Sequence, residues 1–252
     1  MVNNLIKSIF RDVLGISLKN PANAAFFAKT AMAQKKAASI RQKNEEQGLH
    51  VPPVIILSVT NKCNLHCVGC YSRLVPRKQK PELSAASLTS ILQQASELGV
   101  SIVLIVGGEP LTRQDIFDVT KNFPDMIFYL FTNGTLIDDT ALWQFKGQRH
   151  VIPILSMEGH ENITDLRRGV GVYDRLMEDM TKLHERDIFF GTSFTVTQSS
   201  YETITDESFV RSMREHGCKA FIYVEYNPVM KGTEDWVITD AQRNEILAKI
   251  AA

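Results

Sequence analysis

The sequence predicts an α/β fold built on a parallel sheet with helices on the outside. Two observations predict it. Six apolar runs of strand length recur between residues 54 and 229, and a helix-period segment separates each from the next. The runs are nearly continuous in apolar residues, as expected of strands buried on both faces. Parallel neighbours also need long crossover connections, which the intervening helices supply. Right-handed crossovers then give either an open doubly wound sheet or a barrel. With 252 residues, 44% of them hydrophobic and 22% charged, the chain can bury a large core without disulfide staples.

The elements follow in order. Residues 1–47 read as helical. Leu5, Ile9, Val13 and Leu14 form one apolar stripe, and Pro21 opens a second, Ala-rich helix running to about Glu46. Eight basic and three acidic residues give this arm a local charge of +5, read as a solvated basic face on helices packed against the body. The strands are 54–60, 102–108, 126–134, 151–158, 188–197 and 220–229, and the helices lie near 84–98, 114–122, 138–145, 172–186 and 205–216. Ser84 is placed to cap the first of these helices, with Leu83 as its staple. The final residues, TDAQRNEILAKIAA, open a further helix without a cap, so a chain truncated at its C-terminal end is expected. The domain reading is an arm over 1–49 and a core over 50–252.

Several function classes lose support at once. Lys and Arg number 28 and so do Asp and Glu, so the basic excess of a nucleic-acid binder is missing. No uncharged apolar run approaches the roughly 18 residues of a membrane span. Lys7, Arg11 and Asp12 interrupt the N-terminal apolar pattern, unlike a signal peptide. A cytoplasmic location is expected. No GxGxxG follows the first strand, and no phosphate-loop lysine motif occurs.

The chemistry is concentrated in Cys63-Asn-Leu-His-Cys67-Val-Gly-Cys70-Tyr71, directly after the first strand. Three cysteines in eight residues in a reducing compartment point to metal ligation or reactive thiols. A structural zinc needs four ligands; His66 lies awkwardly between two of the thiols and Cys218 is far away. A cubane iron–sulfur cluster held by three thiolates leaves one iron open. Cys218, alone, reads as a small buried apolar residue. Arg73, Arg77, Lys78 and Lys80 read as a solvated basic loop.

CxxxCxxC after the first strand of such an alternation resembles the radical S-adenosylmethionine (SAM) superfamily. Strand two ends in Gly107-Gly108-Glu109-Pro110, similar to the family's GGEP motif, and strand three in Thr132-Asn133-Gly134, similar to TNG. Strand four ends in Ser156-Met157-Glu158-Gly159, followed by Thr164-Asp165-Leu166-Arg167-Arg168-Gly169, and strand six ends in Glu225-Tyr226-Asn227-Pro228. These resemble segments of the SPASM/twitch-type members that mature peptides and cofactors, without their C-terminal extension. Gly69 stands where relatives often carry an aromatic residue, Glu158 where Asp is commoner, and Thr164 where His is.

The resemblance implies a partial (β/α)6 TIM-type barrel with an N-terminal helical arm. It implies a [4Fe–4S] cluster on Cys63, Cys67 and Cys70, and SAM contacts from Tyr71, Gly107, Gly108, Glu109, Pro110, Asn133, Ser156, Glu158 and Arg168. The expected reaction is reductive cleavage of SAM to methionine and a 5′-deoxyadenosyl radical that takes a hydrogen from a peptide or small cofactor precursor. A one-electron donor such as flavodoxin or ferredoxin is the implied partner. The alternative is a non-catalytic module holding zinc or a sensing iron–sulfur cluster.

Individual roles follow from chemistry. Glycines without Cβ atoms let backbone carbonyls approach a substrate ammonium. Glu109 either accepts from that ammonium or braces the turn, which Pro110 fixes. Ser156 and Glu158, two apart on a strand, share a face, inward if Leu155 and Met157 face the helices; ribose hydroxyls would suit Glu158. Arg168, with Arg167 as its neighbour on charge alone, offers a fork for the methionine carboxylate. Ser193, Thr195 and Thr197, with Tyr223 and Glu225, form polar stripes expected to line the barrel.

Overall fold

The computed structural model describes residues 21–74 and 81–251. The predicted first helix and most of the basic loop after the cysteines lie outside them. Helix α1 spans Pro21–Glu46, as the sequence predicts. The strands are β1 Val54–Thr60, β2 Ile102–Gly107, β3 Ile127–Thr132, β4 Val151–Met157, β5 Gly191–Val196 and β6 Ala220–Glu225. The helices are α2 Tyr71–Leu74, α3 Ala85–Glu97, α4 Ile116–Thr120, α5 Asp139–Gly147, α6 Glu161–Arg168, α7 Val172–Glu185, α8 Tyr201–Thr205, α9 Glu207–Glu215 and α10 Asp240–Ala251. Ser84 caps α3 by accepting from the Ser87 amide, and Leu83 before it is exposed.

All strand pairs are parallel and the sheet order is β1-β2-β3-β4-β5-β6. A doubly wound sheet would reverse direction at a switch point. This one never does, so the sheet curls as a partial barrel, with β1 and β6 as unjoined edges. Ile56 on β1 and Val224 on β6 are exposed there, the apolar edge surface that an unclosed barrel leaves.

The outer face of the sheet and the helices share one large core. Val103, Ile105, Phe128, Leu130, Leu155, Met157 and Phe194 are among its buried members. A second, smaller cluster fills the inner face: Ile127, Ile152 and Ile154, flanked by Tyr129, Phe131, Phe189 and Ile222. Phe27 of α1 meets Phe189 edge to face at 6.1 Å, so the N-terminal helix packs against this inner cluster. The same helix is tied to the α3–β2 connection by Gln34 and Arg41, which donate to the Ser101 and Gly99 carbonyls. Apolar side chains thus plug the lower interior, and the polar inner positions lie nearer the C-terminal strand ends, where barrel enzymes place their chemistry.

Helix α7 holds a buried carboxyl, Asp179, against the loop after β3. Arg175 Nε donates to Asp179 Oδ2 at 3.1 Å and Arg175 Nη2 to the Ile137 carbonyl at 2.6 Å; Lys182 Nζ lies 3.6 Å from Oδ1. Desolvation outweighs both cations and pushes this carboxyl from 3.8 up to about 6. The folded protein therefore holds the proton more tightly than the unfolded chain. That contribution is fully present below the unfolded pKa and is lost as pH rises to about 6. Replacing Asp179 by Asn is expected to change relative stability by no more than about 3 kcal/mol across this window, in favour of Asn at the upper end. Urea midpoints of the two proteins from pH 4 to 8 check this. A difference that stays constant through pH 6 contradicts it.

Candidate active site

The cysteine loop leaves the end of β1 and is held on both sides. On one side the β2 turn crosses it: the Gly108 amide donates to the Thr60 carbonyl at 2.8 Å and the Glu109 amide to the Lys62 carbonyl at 2.7 Å. On the other, the Val68 amide donates to the Arg167 carbonyl at 2.9 Å, at the end of α6. Cys63 is exposed and Cys67 and Cys70 half-buried. All three line one cleft of about 460 Å³, with Lys62, Leu65, His66 and Gly108. Burial pushes the Cys63 thiol up against the pull of the Leu65 amide, with Glu109 and the other two thiols adding to the rise.

The paired glycines serve a backbone crossing. A Cβ on Gly108 would lie 2.0 Å from the Lys62 carbonyl oxygen, and one on Gly107, where φ is +147°, 2.4 Å from that of Thr60. On the side where each Cβ would stand, the space is taken by the chain's own carbonyls. Glu109 braces the turn. It is buried; Oε1 accepts from the Leu111 amide at 3.0 Å and Thr132 Oγ1 at 2.8 Å, and Oε2 from the Asn133 amide at 2.7 Å. Desolvation raises its pKa against these three donors and Arg168. Pro110 is buried at the start of the short 3₁₀ turn that follows.

On the facing side, Leu155 and Met157 join the outer core, so Ser156 points inward as expected and accepts from Ser193 Oγ at 3.2 Å. Glu158 is buried. Its Oε1 accepts from Arg167 Nη1, from Arg168 Nε at 2.9 Å, and lies 2.7 Å from Arg168 Nη2. Arg167 also donates to Thr195 Oγ1 at 2.9 Å. Both arginines, rather than one, serve this carboxylate. Burial opposes the Arg168 charge, but Glu158 and the Cys67 and Cys70 thiols outweigh it and raise its pKa, which places the guanidinium within electrostatic reach of the cleft.

Three expected positions differ. Tyr223 packs on Phe194 in the outer layer and donates to the Ile204 carbonyl at 3.1 Å; burial pushes its phenol up to about 12. Glu225 pairs with Arg243 of α10 at 2.7 Å. The Thr197 hydroxyl is bound within the β5–α8 turn by Ser199 and Ser200. The inner positions of β6 are Ile222 and Val224 instead. Tyr71 opens α2 beside Cys70 and is half-exposed. Cys218 is buried in the outer core with Thr192 Oγ1 at 3.4 Å, away from the cleft.

The roles of two residues, Tyr226 and Trp236, escape sequence reasoning. A Cβ on Gly69 would meet Tyr226 Oη at 2.7 Å and Trp236 Cζ3 at 3.0 Å, and these two rings pack at 5.3 Å. The post-β6 segment therefore presses an aromatic pair onto the cysteine loop. The departure at Gly69 was its visible trace, because only a residue without a side chain fits beneath them at φ +68°.

The sequence profile of the Radical SAM superfamily matches residues 57–219. The chain belongs to this superfamily. Its members are enzymes that use a [4Fe–4S] cluster and SAM. Over 206 residues the chain is 28% identical to an AdoMet-dependent heme synthase of Methanosarcina barkeri, covering 79% of this chain and 57% of that one. It is 29% identical over 151 residues to a pre-heme d1 synthase of Dinoroseobacter shibae, covering 59% and 37%. Streptococcus suis SuiB bound to precursor peptide SuiA has the same fold, with a TM-score of 0.69 at 22% identity over 86% of this chain and 49% of that one. This radical SAM chain spans about half the length of these relatives. Among the described residues no helix is long and apolar enough to cross a membrane.

Proposed function

We propose that Cys63, Cys67 and Cys70 hold the [4Fe–4S] cluster of a cytoplasmic radical SAM core, over residues 50–252, that acts on a peptide or cofactor precursor. The observation that carries this reading is a set of unsatisfied polar atoms at the end of α6, which is hydrogen-bonded to the cysteine loop through the Arg167 carbonyl. Glu158 Oε2 and Arg167 Nε are buried without hydrogen-bond partners. Leaving such groups unpaired costs about 1–3 kcal/mol each, so a ligand with both donors and acceptors is favoured there. SAM has ribose hydroxyls, a carboxylate and an ammonium, and fits this donor set. Three thiols around one cleft suit a cluster that needs three thiolates and leaves one iron open.

When bound, the cluster and SAM supply the reductive cleavage that yields methionine and a 5′-deoxyadenosyl radical. The chain's residues orient and exclude. Glu158 Oε2 would accept from SAM hydroxyls, with the two arginines neutralising the carboxylate; Arg168 would present charge toward the methionine carboxylate; Ser156 and Ser193 would line the inner wall. Glu109 and Asn133 act on the loops that carry the cluster. The relatives that synthesise heme and the peptide-bound SuiB support a maturation substrate. Flavodoxin or ferredoxin is the proposed donor class.

Anaerobic reconstitution followed by SAM and dithionite is expected to yield 5′-deoxyadenosine and methionine. A protein loaded with zinc, or one carrying a full cluster that leaves SAM intact, overturns the reading and favours a binding or sensing module. Arg168→Ala removes a charge-assisted contact worth about 1.5–3 kcal/mol, so SAM affinity should fall roughly ten- to a hundredfold with iron content retained. Equilibrium dialysis on the reconstituted protein measures it. Unchanged affinity moves the contact to Arg167 or removes it from this loop.

A further inference from the structure

We propose that Asn133 is a positioning residue that donates a hydrogen bond to the Cys63 sulfur and so sets how readily the cluster is reduced. This rests on Cys63 being a cluster ligand, as proposed above. The amide's orientation is settled by its neighbours. Asn133 Oδ1 accepts from the Thr135 amide at 3.0 Å and from Thr135 Oγ1 at 2.6 Å, so the oxygen is committed to that side. The NH2 group must then face the cysteine loop. One hydrogen goes to Asn64 Oδ1 at 2.9 Å, and Nδ2 lies 3.9 Å from Cys63 Sγ. Asn64 closes the ring by donating to Thr135 Oγ1 at 2.7 Å.

The backbone beneath this ring is fixed independently. The Asn133 amide donates to buried Glu109 Oε2 at 2.7 Å, and Thr132 donates to Oε1. A carboxylate behind Cys63 disfavours adding an electron to the cluster. The Asn133 side-chain Nδ2 opposes it, because a donor on a ligating sulfur withdraws charge and favours the reduced state. Cys63 also receives the Leu65 amide at 3.4 Å. Of these two donors only Asn133 comes from outside the cysteine loop, so its side chain couples β3 to the cluster.

The test is an EPR-monitored redox titration of the reconstituted full chain, with iron content measured alongside. In Asn133→Ala the cluster should persist, but its reduced-to-oxidised ratio at the wild-type midpoint should fall about tenfold, equivalent to about 59 mV for one electron. Asn133→Asp, which puts a negative charge there, should shift it further in the same direction. Thr135→Val, which frees part of the orienting ring while keeping the donor, should give a smaller shift. A wild-type midpoint in Asn133→Ala overturns the inference. So does loss of iron from Asn133→Ala combined with an unmoved midpoint in Thr135→Val, since that marks a merely structural role. A wild-type chain that never binds a cluster would instead refute the reading on which this rests.

Discussion

Replacing Cys63, Cys67 or Cys70 singly by Ala is expected to abolish iron retention and to reduce 5′-deoxyadenosine formation at least a hundredfold. The loop supplies three thiols to one cleft, and no fourth cysteine is near enough to substitute. A cluster held by two thiolates loses both a bond and the geometry that leaves one corner open for SAM. Cys218→Ala provides the contrast. Its sulfur contacts Thr192 and the Ala220 carbonyl in the outer core, so its loss should cost some packing stability and leave iron and turnover unchanged. Iron per chain, the charge-transfer absorbance of the cluster, and chromatography of the SAM products read the two outcomes apart. Iron lost from the Cys218 variant alone would refute the three-ligand assignment.

The architecture was legible because hydrophobic patterning answers to the sheet. Each predicted strand contains the observed one, and β1 agrees at both ends, since strands buried on two faces leave an unbroken apolar signature. Strand order then separated barrel from doubly wound sheet, which periodicity alone does not do. Helix α6 escaped because ENITDLRR buries little apolar surface: Thr164 is its buried residue, and Leu166 is exposed. Tyr223 was misplaced because its hydroxyl reads as polar, while the ring packs on Phe194 and the hydroxyl finds a carbonyl on the helix side. An amphipathic side chain satisfies both environments and so hides which face it is on.

At the site, residue types were legible and partners were not. The resemblance favours Arg168 over Arg167, yet both guanidiniums converge on one oxygen of Glu158 and leave the other free. That arrangement depends on where α6 ends relative to β4, which no local pattern encodes. Glu109 shows the same limit. Its bracing role became visible only when Leu111, Thr132 and Asn133 were seen to donate to its oxygens.

Gly108→Ala is expected to be the most damaging change outside the cysteines, although it adds one methyl group. That methyl would sit 2.0 Å from the Lys62 carbonyl oxygen and 2.5 Å from its carbon. Both are backbone atoms, so no rotamer change relieves the overlap. The β2 turn and the cysteine loop would have to separate by about an ångström, the scale at which overpacking costs about 1–3 kcal/mol. Separation also weakens the Gly108–Thr60 and Glu109–Lys62 hydrogen bonds, each worth about 1 kcal/mol. The total, about 3–5 kcal/mol, corresponds to a fall in Tm of roughly 6–20 °C for a chain of this size. Because the strain falls on the loop carrying the thiols, iron retention should drop with it. Gly147→Ala is the control: a Cβ there meets nothing within 4 Å at the exposed end of α5, so Tm should hold or rise slightly. Thermal unfolding of both variants and iron content after anaerobic reconstitution measure the effect. A Gly108→Ala protein with wild-type Tm and full iron would show that the paired glycines are needed for something other than this backbone crossing.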